Sequence, residues 1–237
     1  MWNPVRSLLN AATSRLPGSS HPWWFKLVAA NTKANVRVTP EKALTYSAVW
    51  AATSLYTETI SSLPRKFMEV DGDKRKSASD HPAYQIFLFE PNPEAGADGW
   101  VSSLIHHYIN WGNAFALKNY DPRTGRVNRV WPIHPSRIPE DNLIRATGEE
   151  EITSPNDANM IVGLARPGTL IYKVETDHDE IGEARYYHHR DVMHIVGRFP
   201  DDSLYGKGVI TSSARESIAA AIGANEYGAT FLSLIHI

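Results

Sequence analysis

The 237-residue chain contains no cysteine. Disulfides and thiolate metal sites are thereby excluded, and the chain suits assembly in a reducing cytoplasm. Excess charge of either sign is also missing: 24 basic and 26 acidic side chains leave a net charge of -2. Proteins that grip DNA phosphates carry a basic excess. Sequence-specific DNA binding is therefore not expected, although a near-neutral balance is compatible with DNA sliding past without sticking. No apolar run is long enough to span a bilayer. The N-terminal stretch around Arg6 and Arg15 lacks a continuous apolar core followed by a small-residue cleavage site, so a secretory signal is not expected. There is no Gly-x-Ser-x-Gly elbow, no spacing that assigns a catalytic triad, and no internal repeat. What remains is ordinary globular composition, 42% hydrophobic and 21% charged, sized for one large or two small domains.

Residues 1–38 read as an arm without sustained periodicity, carrying the aromatic run Trp23-Trp24-Phe25. That run suits packing onto the parent domain or insertion into a neighbouring subunit. Thr39-Pro40-Glu41 is a helix start, with Thr as N-cap and Pro in the first turn. A helix in two pieces follows, the main one over Tyr46–Ser62. Tyr46, Val49, Thr53, Tyr56, Ile60 and Leu63 recur at steps of three and four and predict its buried stripe. Pro64 ends it. A strand over 65–70, an Asp71-Gly72 turn and a return strand over 74–77 make a hairpin.

Asp80-His81-Pro82 opens a short helix through Phe89, and Pro91-Asn92-Pro93 forces an extended turn. An amphipathic helix over 98–111 carries Val101, Leu104, Ile105, Tyr108 and Ile109, with Gly112 placed for a left-handed cap. Strands are expected at 114–120, 127–134, 170–175, 184–188 and 192–196, with Pro132 and Pro135 marking an edge. Residues 140–168 read as an exposed loop or insertion. After Gly208, a helix over 209–231 sets Ile210, Ala214, Ile218, Ile222 and Asn225 on one face.

Four groupings invite a chemical reading. His188, His189 and His194 near Asp191 suggest a metal site, but the intervening turn scatters them, and hydrogen-bonded or surface histidines are the simpler account. His106 and His107 point in different directions from one helix and cannot chelate one ion. Asp177, Asp179, Glu180, Asp201 and Asp202 suggest a two-metal nuclease centre, yet acidic turns explain them equally well. Gly206-Lys207-Gly208 with Thr211 suggests a phosphate loop, but Lys207 is followed by Gly208, so the motif fails and a tight turn into the helix is expected instead. No catalytic, metal or cofactor-binding residue is assigned, and no cofactor is expected.

The elements are individually weak, but their order is specific. Val49-Trp50-Ala51 leads to Leu63-Pro64. Asp71-Gly72, Asp80-His81-Pro82, Pro91-Asn92-Pro93 and Gly112-Asn113-Ala114 follow. Pro132-Ile133-His134-Pro135 precedes His194-Ile195 and Tyr205-Gly206-Lys207-Gly208. This series resembles the portal proteins of tailed bacteriophages, the shorter type of long-tailed phages, over roughly 40–232. The resemblance implies an α+β fold: a wing and body of amphipathic helices on mixed, mostly antiparallel strands (39–208), then the start of a long helix toward a stem and clip. It implies a non-enzymatic, dodecameric ring at the capsid vertex that passes double-stranded DNA non-specifically. Its implied partners are the terminase, the major capsid or scaffolding protein and a head-tail adaptor, with no membrane. Residues 232–237 resemble translated sequencing-adapter sequence and are expected to be a non-native tail. With the stem beyond the chain, the Ile210, Ile218 and Ile222 stripe is expected to be exposed, leaving monomer or polydisperse aggregate. Two alternatives stand beside the portal reading: a metal-dependent nuclease or hydrolase using His188 and His194, and another virion component such as a head-tail adaptor or minor capsid protein.

Overall fold

A computed structural model describes residues 36–148, 150–154, 157–175, 185–197 and 204–235. The aromatic run Trp23-Trp24-Phe25 and the acids Asp177, Asp179, Glu180, Asp201 and Asp202 lie outside the described residues.

The chain enters through α1 (Pro40–Leu44), where the Thr39 side chain accepts a hydrogen bond from the Lys42 N–H at 3.2 Å. A break at Thr45-Tyr46 gives way to α2 (Ser47–Ser61). A hairpin of β1 (Met68–Asp71) and β2 (Lys74–Ser77) follows, then α3 (Ala83–Leu88) and α4 (Ala97–Trp111). Strands β3 (Asn113–Tyr120) and β4 (Val127–Ile133) come next, then β5 (Leu143–Arg145), β6 (Glu150–Ser154), β7 (Asp157–Ala165), β8 (Leu170–Val174), β9 (Arg185–His188) and β10 (Val192–Val196). The last element is α5 (Arg215–Ile235), 21 residues long. All strand pairs are antiparallel. This is the expected α+β architecture.

The central sheet runs β10-β3-β4, which leaves β4, with Pro132, on an edge. Because successive strand residues face opposite sides, β3 feeds two cores at once. Ala114 and Ala116 face Ile86, Trp100 and Leu104 of the helices. Phe115, on the reverse face, packs with Ile133, Tyr172 and Val174, the latter two from the β5-β8-β9 sheet. The small residues at 114 and 116 allow α3 and α4 to lie close over the sheet, and the large one at 115 fills the wider gap between sheets. Pro91-Asn92-Pro93 is tied in by Asn92, whose buried side chain donates to the Val130 carbonyl at 3.0 Å and accepts from the N–H groups of Glu94 and Ala95.

Four expectations need correction. On α2 the residues turned inward are Thr53, Thr57 and Ser61, whereas Tyr56, Ile60 and Leu63 are exposed. Small polar side chains let α2 lie tightly on α4, and the apolar stripe predicted to be buried turns outward over its second half. The hairpin turn is Gly72-Asp73, because Asp71 pairs with Lys74 inside the ladder. Residues 140–168 carry strands: β5 joins the β8-β9 sheet, and β6 and β7 form a hairpin of their own. Finally, Ile210, Ile218 and Ile222 are not exposed. They close a core with Val38 and Ala43, so the N-terminal segment covers the root of α5. Residues 209–214 form turns ahead of the helix, which then continues through Ile235.

Candidate functional site

The two sequence segments that carried the resemblance meet in space. α4 ends at Gly112, whose φ of 77° caps it in the left-handed region that residues with a Cβ disfavour. Onto this cap fold the end of β10 and the loop ahead of α5. Gly197 donates its N–H to the Gly112 carbonyl at 2.7 Å, and Val209 donates to the Ile109 carbonyl at 3.0 Å. Four glycines make the approach possible. A Cβ on Gly112 would sit 2.2 Å from the Lys207 carbonyl carbon, and one on Gly206 would sit 2.2 Å from the Gly112 oxygen. On Gly197 it would meet that same oxygen at 2.4 Å, and on Gly208 the Asn110 oxygen at 2.2 Å. Only Gly112 of the four has a positive φ. The glycines of Gly206-Lys207-Gly208 are therefore required by close backbone approach, where a tight turn was expected.

Asn113, fully buried, is the polar centre of this junction. Its Nδ2 donates to the Gly206 carbonyl at 2.8 Å, and its Oδ1 accepts the Gly206 N–H at 2.8 Å. That two-point pairing fixes the amide orientation, so Oδ1 also accepts from His194 Nε2 at 3.0 Å. His194 then carries its proton on Nε2 and leaves Nδ1 to accept from the Tyr172 hydroxyl at 3.1 Å. The imidazole stacks on Phe115 with centroids 4.3 Å apart. Burial pulls the His194 pKa down to about 4 and pushes Tyr172 up to about 12. Both groups are neutral across the physiological range. The relay Gly206–Asn113–His194–Tyr172 ties the loop before α5 to β3, β10 and β8.

The root of α5 is held by two further devices. Ser212 donates its hydroxyl to the Gly208 carbonyl at 2.6 Å, and Thr211 does so at 3.3 Å. Lys42 of α1 pairs with Glu226 at 2.9 Å, an exposed contact that adds little by itself.

The other candidate residues fall elsewhere. His188 and His189 stack on each other at a turn with centroids 4.3 Å apart, and His189 lines one open pocket with Tyr172 and His194. His106 and His107 flank Trp111, each ring 5.9 Å from it, and His134 closes the group at 4.6 Å from Trp111. Burial, then the neighbouring His134 and His106, lower the His107 pKa to about 3. Among the described residues, no group of three or more His, Asp or Glu side chains is placed to hold a metal ion. Among them, too, no helix is long and apolar enough to cross a membrane.

Sequence reasoning singled out Gly112-Asn113-Ala114 and Tyr205-Gly206-Lys207-Gly208 without linking them. The linking signal was a run of glycines lacking turn chemistry, which marks backbone contact.

A probable portal protein of Streptomyces phage phiC31 is 30% identical over 202 residues, spanning 83% of this chain and 38% of that protein. A chain from the neck of an empty gene transfer agent particle, computed with C6 symmetry, superposes with a TM-score of 0.53 at 18% identity. It covers 79% of this chain and 43% of its own length. A chain from the native particle's neck, computed with C12 symmetry, gives 0.51 at 15% identity over 88% and 50% of the two chains. These likenesses concern the fold, and the chain spans half or less of the length of each of these relatives. The family model described as phage portal protein matches residues 47–233, which takes in α2, the glycine junction and nearly all of α5, and on that match the chain belongs to the phage portal protein family.

Proposed function

We propose that the chain is the wing and body of a portal subunit, one copy of a dodecameric ring at the capsid vertex through which double-stranded DNA is packaged and ejected. The observation that carries this reading is the family match, which runs through the glycine junction into α5. In this reading residues 39–208 form the wing domain, and the helix beyond leads toward a stem and clip. The ring docks the terminase, a capsid or scaffolding protein and a head-tail adaptor, and it resides in the virion after assembly in the host cytoplasm.

The subunit catalyses nothing. Its most buried histidines are spent on structure: His194 on the Asn113 tie, His107 on the aromatic group around Trp111. A net charge of -2 suits a wall that DNA must pass without being held.

The test is native mass measurement and negative-stain imaging of the purified chain, with a DNA-binding titration alongside. Closed rings and no DNA retention at physiological salt are expected, in place of the monomer or aggregate read from sequence, because the Ile210, Ile218 and Ile222 stripe is covered by Val38 and Ala43. Monomer at all concentrations, or divalent-metal-dependent DNA cleavage that His194→Ala abolishes without unfolding, would overturn the reading.

A further inference from the structure

Among the described residues, two features of the surface lack partners within one copy, and they match each other. The first is the β1–β2 hairpin. All eight of its strand residues are exposed, so the hairpin adds little to the core of the described residues. An isolated two-stranded hairpin is marginal in water and is normally steadied by a third element. Its register sorts the charges. Glu69 faces Lys76 and Asp71 faces Lys74, so one side sets opposite charges across from each other. The other side presents Met68 and Val70 with Arg75 opposite Val70. Arg75 forms no ion pair among the described residues.

The second is a cleft of about 440 Å³ between α2 and α4, lined by Trp50, Ser54, Thr57, Glu58, His106 and His107, among others. Two buried polar atoms in its lining, Thr57 Oγ1 and His107 Nδ1, have no hydrogen-bond partner. Thr57 is only 8% exposed, so its hydroxyl has little access to bulk water. Glu58 is the single charged residue of the 15-residue α2, and it forms no ion pair among the described residues. Trp50, 54% exposed, sets an aromatic ring at the mouth. One helical step from Glu58, α2 exposes Leu55, while Tyr56 and Ile60 are exposed on its other flank. The site thus offers one carboxylate and one aromatic face, with the apolar Leu55 next to them. That set fits a guanidinium carried on an apolar strand face.

We infer that the β1–β2 hairpin of one copy seats in the α2–α4 cleft of a second copy, with Arg75 reaching Glu58 and Trp50 while Met68 and Val70 lie over the exposed Leu55. The contact is heterologous: hairpin and cleft are unlike surfaces, each copy has one of each, and such contacts repeat head to tail into rings. The Arg75 guanidinium supplies the countercharge that Glu58 lacks among the described residues, and the exposed hairpin gains packing. This inference rests on the ring reading above and names the contact that would build it.

The test uses the full chain. With no natural cysteine, Ser54→Cys in the cleft and Asp73→Cys at the hairpin tip each introduce a single thiol while keeping Glu58 and Arg75. The two variants are mixed, treated with a short bismaleimide, and compared with each variant alone, while native mass measurement follows assembly. A 54–73 product in the mixture, in excess of the 54–54 and 73–73 products, is the expected result. Assembly without the 54–73 product overturns the inference and leaves the ring reading standing. Absence of both assembly and cross-link overturns the two together. As a second arm, Glu58→Arg and Arg75→Glu each weaken association roughly tenfold or more, as when one member of a desolvated charge pair is lost. The doubly swapped E58R/R75E chain regains most of it. Failure of the double variant to recover, with each variant folded by circular dichroism, counts against the pair.

Discussion

Replacing Gly112 by Ala tests whether the junction at the root of α5 is as tight as its geometry states. Two penalties combine. Holding a residue with a Cβ at a φ of 77° costs about 1 kcal/mol. The new Cβ also lands 2.2 Å from the Lys207 carbonyl carbon, 2.3 Å from the Gly208 nitrogen and 2.7 Å from the Gly206 oxygen, where ordinary contact begins at 3.4 Å. All three are backbone atoms, so no side chain can swing aside. The loop must retreat by more than an ångström, which stretches the bonds from Asn113 to Gly206 and from Val209 to Ile109 beyond useful range. Losing two or three buried hydrogen bonds at about 1 kcal/mol each brings the total to roughly 3–4 kcal/mol. For a chain of this size that is a fall in Tm of roughly 10–15 °C. Gly72→Ala is the control. Its φ is 58°, but nothing lies within 4 Å of the added Cβ, so only the conformational cost of about 1 kcal/mol applies. Urea unfolding and calorimetry of the two variants separate the terms. Equal losses at the two positions would refute the claim that backbone contact, and not φ alone, requires glycine at 112.

Asn113→Asp keeps an acceptor for His194 but removes the donor to Gly206 and buries a charge; a loss of about 3 kcal/mol is expected, with the His194 pKa rising by NMR titration because a carboxylate replaces the amide at Nε2. His194 has its pKa at about 4 against 6.5 in the unfolded chain, so the unfolded state binds more protons between those values. Stability present above pH 6.5 is lost as pH falls toward 4, by on the order of 3 kcal/mol, and His194→Gln flattens that limb of the pH-stability curve. Ile222→Ala empties a fully buried site against Val38 and Ala43 and costs roughly 2–5 kcal/mol. Hydrogen exchange should then show the first turns of α5 opening before the central sheet.

Local signals were read well wherever the answer is local. The bounds of β2 and β10, the Thr39 cap and the Gly112 cap follow from turn chemistry and period, and the structure has them. Reading failed where burial depends on a distant partner. Tyr56, Ile60 and Leu63 have the spacing of a core stripe, yet the residues that α2 buries are Thr53, Thr57 and Ser61. Periodicity identifies an apolar face but not whether that face meets its own chain or another. The Ile210, Ile218 and Ile222 stripe failed in the opposite sense. It was assigned to solvent because its expected partner lay ahead in sequence, while its actual partner, Val38 with Ala43, lies about 170 residues behind.

The position of Asn113 explains why the body can act as a rigid base for α5. A helix tethered only by apolar contacts can slide and rotate, since dispersion and hydrophobic forces are non-directional. Here the loop entering the helix is held by directional bonds on both sides of Gly206, and the amide that makes them is locked by His194, itself locked by Tyr172. Each member leaves a buried group unsatisfied if it moves, so the tie has one low-energy arrangement. Beyond Ile222 no such restraint exists among the described residues except the Lys42–Glu226 pair, and Tyr227, Phe231 and Leu232 are exposed. The direction of α5 is therefore set at its root. Tyr172→Phe should loosen that direction without emptying any core volume, because it removes only the last donor of the relay. Spin-label distances from the body to positions on α5 should broaden in Tyr172→Phe while Tm falls by only about 1 kcal/mol equivalent. An unchanged distribution would mean that the Ile218 and Ile222 packing alone fixes the helix.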